Sequence, residues 1–367
     1  MPDMPQTLAE LTKLVGGTLR GNAQLTIERA MPLAMAVAGD ITLLDGSERS
    51  GKTVASSQAS AIIVGLDSPN RDAVPTSIAM VIVADIHAAF TSVVRAFRPP
   101  RVRTGIGTSP QAIVSPTAKI APDADVHPGV TICDDVEIGA GAVIHPGVYI
   151  GPGCRIGREV TIFPNAVLYE NVSIGDRSLI HAAVILGAYG FGYKLVDGRH
   201  QLTQQLGYVE IGSDVEIGAG TTIDRGTYGP TIIGDGTKID DQVMIGHNCR
   251  IGRHNLICAQ VGLAGSSSTG DYVVMAGQVG VRDHLHIGDR AMIGAKSGIM
   301  YDVEPGMSMV GIPAYPMKDW RMQQVVVQKL PDLRHQIKEL ERTVAELQAA
   351  IAATKANAAS PDNRHAA

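Results

Sequence analysis

A six-residue repeat limits what this chain can fold into more than any other feature. From Val114 an aliphatic residue recurs at every sixth position, through Ile120, Val126 and Ile132 to Leu186, 13 hits without a slip. The phase resumes at Ile211, Ile217 and Ile223 and shifts by four residues around Tyr228-Gly229-Pro230-Thr231. It then runs from Ile233 to Ile299, with Thr269 as the exception. A period of six fits neither the helical 3.6 nor the strand alternation of 2. It fits a parallel β-helix with three flat faces, in which 18 residues make one coil and the aliphatic side chain points into the prism. Residues 18 apart then stack at roughly 4.8 Å, the strand spacing. Glycine often follows the aliphatic residue, as at Gly139, Gly157, Gly218 and Gly246, and we assign it to tolerance of a sharp corner. The 41 glycines, set against only 9 Tyr, 4 Phe and 1 Trp, suit many tight turns around an aliphatic core.

Both ends differ from the solenoid. Residues 7–17 read as a short helix with Thr7 as N-cap and Gly16-Gly17 as terminator. Apolar runs follow at Ala61–Val64 and Ile78–Val83, then a helix over Ile86–Phe97, which together predict a small α/β domain over 1–104. The stretch PPRVRTG, 99–105, is its linker. The solenoid occupies 105–313. Beyond it, within 314–367, Leu333, Ile337, Leu340, Val344, Leu347 and Ile351 alternate at spacings of four and three, a short heptad seam followed by a frayed tail.

Composition narrows the function classes. With 31 basic and 36 acidic residues no global field recruits nucleic acid. The four cysteines, Cys133, Cys154, Cys249 and Cys258, show no CxxC spacing and read as small core or turn residues. No apolar stretch approaches the roughly 18–20 residues of a membrane span, and the first residues, MPDMP, lack the basic and apolar regions of a signal peptide. A soluble, cytoplasmic protein is expected.

The repeat register sorts the histidines. His127, His145 and His181 all follow an inward aliphatic residue and share one vertical column, with Phe163 filling the gap, which reads as structural. His247 differs: it sits two after Ile245, in IGHN, just beyond the four-residue shift, and 18 residues below Gly265. An imidazole beneath a glycine backbone pairs a proton acceptor with an N–H that can steady an oxyanion, the combination acyl transfer requires; an ordinary pair of surface turns is the plain alternative. His284 lies two coils above Asn248, beside the same column. Together with His254 and His286 these imidazoles supply no convincing three-ligand set for zinc, so no metal and no cofactor is expected. The break between Leu186 and Ile211 holds Tyr189, Phe191, Tyr193 and Tyr208, a glycine-flexible aromatic loop suited to covering a ligand.

The motifs GAYGFGY, VEIGAGTTIDRGTYGPTIIGDGTKIDDQVMIGHNCRIG, LAGS and GIPA resemble those of the UDP-3-O-(3-hydroxyacyl)glucosamine N-acyltransferases of lipid A synthesis. The resemblance covers nearly the whole chain and is most specific from about Gly187 to Pro313. It implies a left-handed β-helix, a homotrimer with active sites between adjacent solenoids, and transfer of a 3-hydroxyacyl chain from acyl carrier protein to the 2-amine of UDP-3-O-acyl-glucosamine. It places the catalytic base on His247, a second active-site histidine on His284, the base's acidic partner on Asp240 and the oxyanion glycine on Gly265. Phe191, Tyr193 and Asn248 are then candidate substrate contacts, and Gly298 and Met300 lie where the acyl chain would end. In the segment that holds uracil in the family, this chain reads ITLLDGSER, with Leu43, Gly46 and Arg49 in place of an aromatic, an Asn and a second aromatic. Tyr301 replaces an Arg that the family can use against the carrier protein. A related O-acyltransferase, or a trimeric scaffold without activity, are the alternative functions.

Overall fold

The computed structural model describes residues 5–47, 52–99, 105–311 and 313–358. The chain divides into two compact units, Met1–Thr104 and Gly105–Ala367.

The first unit is built on a five-stranded sheet. In spatial order its strands are Thr18–Arg20, Ala79–Val83, Ala61–Gly65, Asp40–Leu44 and Arg29–Ala30, all parallel except the first. Helix α1, Leu8–Leu14, starts at a capping box: Thr7 accepts from the Glu10 amide, and the Glu10 carboxylate accepts from the Thr7 amide. Helix α2, Ile86–Phe97, is capped by Asp85 and buries Ala89, Val93 and Phe97. These pack with Leu8, Leu11, Ile63 and Val81 into one core on a face of the sheet. Buried Asp40 begins its strand and is held by Arg29 at 2.9 Å.

The second unit is a parallel β-helix. Its short strands stack into three sheets of 10, 10 and 9 strands. Val126 pairs with Ile144 and Ile150 with Leu168, so the 18-residue coil is real. Across the aromatic break the register jumps from Leu186 to Ile223, and across the four-residue shift from Ile211 to Ile233. Inward aliphatic residues such as Ile144, Ile162 and Ile217 are fully buried. So is a second residue two positions earlier in most hexads: Val130, Ala142, Val160, Ala166 and Val172 belong to it, as do Cys154 and Cys249. Burial pushes those two thiols up, Cys154 to about 12 and Cys249 to about 11, so neither supplies a thiolate near neutral pH. Thr269 points inward at little cost because its hydroxyl accepts from the Gly252 amide and the Asn255 side chain.

The glycines after the inward residue serve a different purpose from the sharp corner the repeat suggests. A Cβ on Gly139 would lie 2.7 Å from the carbonyl carbon of Gly157 in the next coil, so close stacking demands glycine there. The left-handed corner falls two residues later, and residues with side chains occupy it, including Asn171, Asn248 and His284 with φ near +60°.

Helix α3, Met317–Ala358, starts well before the heptad seam and continues through Pro331. Its seam residues are exposed in the single chain, from 41% at Leu333 to 64% at Leu340. Among the described residues no helix is long and apolar enough to cross a membrane.

Candidate active site

Where the regular stacking is interrupted, the second unit has a concavity of about 700 Å³. Its walls include His247, Gly265, His284, Phe191, Met300 and Asp224. His247 follows the strand Met244–Ile245, Gly265 follows Gly262–Leu263 directly above, and His284 follows Gly280–Val281 one coil higher.

The His247 imidazole lies flat against Gly265: a Cβ there would be 2.6 Å from both Cε1 and Nε2. Gly190 also approaches it: its Cβ would lie 2.6 Å from the histidine Cβ and 2.9 Å from its Cδ2. The half-buried histidine therefore packs against two backbones at positions where glycine leaves the room. The Gly265 amide donates to no group among the described residues.

The tautomer follows from the neighbours. Asn248 Oδ1 accepts from the Thr227 amide at 3.1 Å and from the Thr227 hydroxyl at 2.9 Å. A backbone amide can only donate, so the atom facing it is the oxygen. That same oxygen stands 3.0 Å from His247 Nδ1, which must therefore carry the proton and donate. Nε2 is left with its lone pair, beside Gly265.

Asp224 is a site residue that sequence reasoning missed. Its carboxyl is buried in the wall of the concavity, and desolvation pushes its pKa up to about 6, with the charge of His247 acting against the rise. The signal was an Asp-Arg pair placed directly after inward Ile223. Met244, Gly262, Gly280 and Gly298 also stack in register along the outer face of one sheet. A Cβ on any of the three glycines would meet nothing within 4 Å, so an open side-chain-free strip runs up from Met244.

The other predicted residues lie elsewhere. Asp240 does not reach His247 within this chain. It belongs to a different sheet, after Lys238–Ile239, and lines a separate concavity with His181, Glu216 and Cys258. Its carboxylate accepts from the amides of Asp241 at 2.9 Å and Ala259 at 3.0 Å, so it caps its own corner. Tyr193 opens an exposed hairpin, Tyr193–Val196 with Arg199–Leu202, and touches Phe191 edge-on at 5.0 Å without lining the concavity. Leu43 is half-buried in the first unit's sheet, facing Ile63 across the register. Gly46 lines a shallow hollow of about 410 Å³ at the carboxyl ends of the parallel strands, with Gly65, Ser68 and Ile86. Arg49 lies outside the described residues. Among the described residues no three His, Cys, Asp or Glu side chains are grouped to hold a metal.

Relatives agree with this architecture. The family described as bacterial transferase hexapeptide (six repeats) matches residues 129–164, 153–188 and 230–265. A UDP-3-O-acylglucosamine N-acyltransferase of Rhodopirellula baltica is 48% identical over 323 residues, 88% of this chain and 82% of that protein. The enzyme of the same name from Herminiimonas arsenicoxydans is 34% identical over 94% of this chain and 99% of its own. That of Coxiella burnetii is 34% identical over 92% and 98%. The chain belongs to the UDP-3-O-acylglucosamine N-acyltransferase family. Within that family the glycine-packed histidine at the interrupted coils is this chain's candidate catalytic centre.

Proposed function

We propose that the protein transfers a 3-hydroxyacyl chain from acyl carrier protein to the 2-amine of UDP-3-O-acyl-glucosamine, a step of lipid A synthesis, in the cytoplasm and as a homotrimer. The observation that carries the reading is the His247 ring, protonated at Nδ1 by its bond to Asn248 and bare at Nε2 beside the free Gly265 amide. The amine nitrogen attacks the thioester carbonyl carbon while Nε2 takes the proton it sheds. The Gly265 amide donates to the tetrahedral oxyanion, an interaction that typically contributes about 3–4 kcal/mol. Collapse expels the pantetheine sulfur, and the imidazolium returns the proton to it.

Within the chain Asn248 orients the ring. His284, exposed at the mouth, positions sugar phosphate or pantetheine, with Phe191 beside it. The strip over Gly262, Gly280 and Gly298 takes the acyl chain toward Met300, because only a surface without side chains admits an extended hydrocarbon so close to the backbone. The hollow at Gly46 is the nucleotide contact of the first unit, with Leu43 behind it and Arg49 following it in sequence. The bare heptad seam on α3 supports the trimer, since six exposed aliphatic residues in register call for covering helices.

Incubation with 3-O-acylated UDP-glucosamine and a panel of 3-hydroxyacyl carrier proteins, with product masses read directly, tests the reaction. A mass gain of one 3-hydroxyacyl group on the acceptor is expected. Acylation of an unacylated UDP-sugar hydroxyl instead would move the protein to the O-acyltransferases, and no transfer would leave a scaffold. Light scattering tests assembly: a monomer at micromolar concentration sinks the trimer.

A further inference from the structure

The loop that leaves the solenoid after Leu186 reaches the candidate site at Gly190 and Phe191, yet most of it is exposed. Something must hold its two ends in place. The segment that does so is Arg225-Gly226-Thr227, immediately after the strand Thr222–Asp224.

The entrance is tied by Arg225. Its backbone amide donates to the Ala188 carbonyl at 2.9 Å, and its Nε donates to the Gly187 carbonyl at 2.8 Å. Nη1 donates to Glu170, two coils below, at 2.5 Å. The side chain is only 3% exposed, and Nη2 has no hydrogen-bond partner among the described residues. Two aromatic faces compensate: the guanidinium carbon lies 5.0 Å from the Tyr189 ring centre and 5.7 Å from that of Tyr169. Gly187, at φ +88°, holds a conformation that favours glycine, and a Cβ there would crowd Tyr169 and Val172 at 3.1 and 3.3 Å. The exit is tied by the same segment, since the amides of Leu206 and Gly207 donate to the carbonyls of Thr227 and Gly226. Thr227 in turn holds Asn248, which holds His247.

A buried, incompletely hydrogen-bonded cation is costly. Here it connects three things: the coil two steps below through Glu170, the loop entrance through Gly187 and Tyr189, and the strand leading to Thr227. We propose that Arg225 is a positioning residue of this enzyme, anchoring the loop mouth so that Gly190 backs the His247 ring and Phe191 faces the concavity. This rests on the proposed function only for its catalytic consequence. The anchoring itself is a statement about the loop.

The planar fork is the essential part, because lysine keeps the charge but cannot donate to Gly187 and Glu170 while stacking on two rings. In the full-length protein, Arg225→Lys should speed amide hydrogen exchange over 187–193 and 203–208 by about tenfold or more, with exchange in coils 126–168 unchanged. Acyl transfer should lose about 10–100-fold in kcat, with a smaller change in the acceptor KM, since the ring behind the base is displaced while most of the binding surface remains. Glu170→Gln, at a partner that is 41% exposed, perturbs the fold less and should shift both readouts the same way by a smaller factor. Arg253→Lys, at an exposed Arg paired with Asp271 in a regular coil, should change neither.

Unchanged exchange over both loop segments in both variants would overturn the anchoring. Faster exchange with kcat within twofold of wild type would overturn its catalytic role. If the wild-type protein transfers no acyl group, the proposed function falls, while the exchange measurement still decides the anchoring.

Discussion

Two sets of histidines on one solenoid behave differently. In the regular coils His127, His145, Phe163 and His181 form a ladder with ring centres 5.0, 5.2 and 4.9 Å apart. Each ring there has another ring above or below it, and His181 ends the ladder on Glu216 at 3.1 Å. At the interrupted coils His247 packs against two glycines and has an amide oxygen at Nδ1. The difference is one position in the hexad and the loss of regularity next to it. A regular coil repeats its environment every 18 residues and so produces columns. An interruption produces a single environment, and chemistry that needs one base beside one oxyanion donor needs that.

The largest expected break in this comparison is His247→Ala. Loss of a general base typically costs about 10²–10⁴-fold, so kcat should fall by that order while the oligomer mass is unchanged. His145→Ala, in the ladder, should leave kcat nearly as it is. Equal turnover in His247→Ala would place the base elsewhere.

Gly265→Ala comes next. Its methyl would stand 2.6 Å from the imidazole, and the fold would have to shift the ring to admit it. Alanine keeps the amide donor, so the loss comes from the displaced base: about 10²-fold in kcat is expected, the order that a misplacement of about 1 Å costs. The equivalent change at Gly262, whose Cβ meets nothing within 4 Å, should spare kcat and instead disfavour long acyl donors.

Asn248→Asp should act through pH. A carboxylate behind Nδ1 favours the imidazolium, so the acid limb of kcat/KM should move to higher pH than in the wild type. An acid limb that stays in place would show that Asn248 does not govern the ring.

The smallest effects are on stability, and the two regions should show opposite signs. Burial, reinforced by the charge of His127, lowers the pKa of His145 below 6.5. The ladder's contribution is therefore fully present above about pH 6.5 and is lost as pH falls through the depressed value. Asp224 is raised from 3.8 to about 6, so its contribution is present below pH 3.8 and lost as pH rises through about 6. Asp224→Asn should raise Tm at pH 7, by the equivalent of up to about 3 kcal/mol from a shift of roughly two pH units. His145→Phe should flatten the loss of Tm below pH 6.5. A melting curve for either variant that tracks the wild type across these windows would remove that group from the pH dependence.

The sequence by itself determined the solenoid. Inward positions such as Ile144 and Ile162 repeat because each coil is a copy of the last, so one period sets every neighbour, including His247 under Gly265. It also determined α2 and the Thr7 cap, which depend on side chains within one turn. The second buried column, at Val130, Ala142 and Cys154, escaped notice because its small residues vary in type and only a packed interior reveals their burial. The strand Asp40–Leu44 was missed because its neighbours, Arg29–Ala30 and Ala61–Gly65, are set by pairings across the unit and not by any local pattern. Asp240, seven residues from His247 in sequence, lies around a corner on another sheet of the same chain. The rest of the environment of His247 was decided by tertiary structure. Gly190, Thr227 and Arg225 come from the two places where the period fails, and once a chain leaves its repeat, only the folded contacts determine which residues meet.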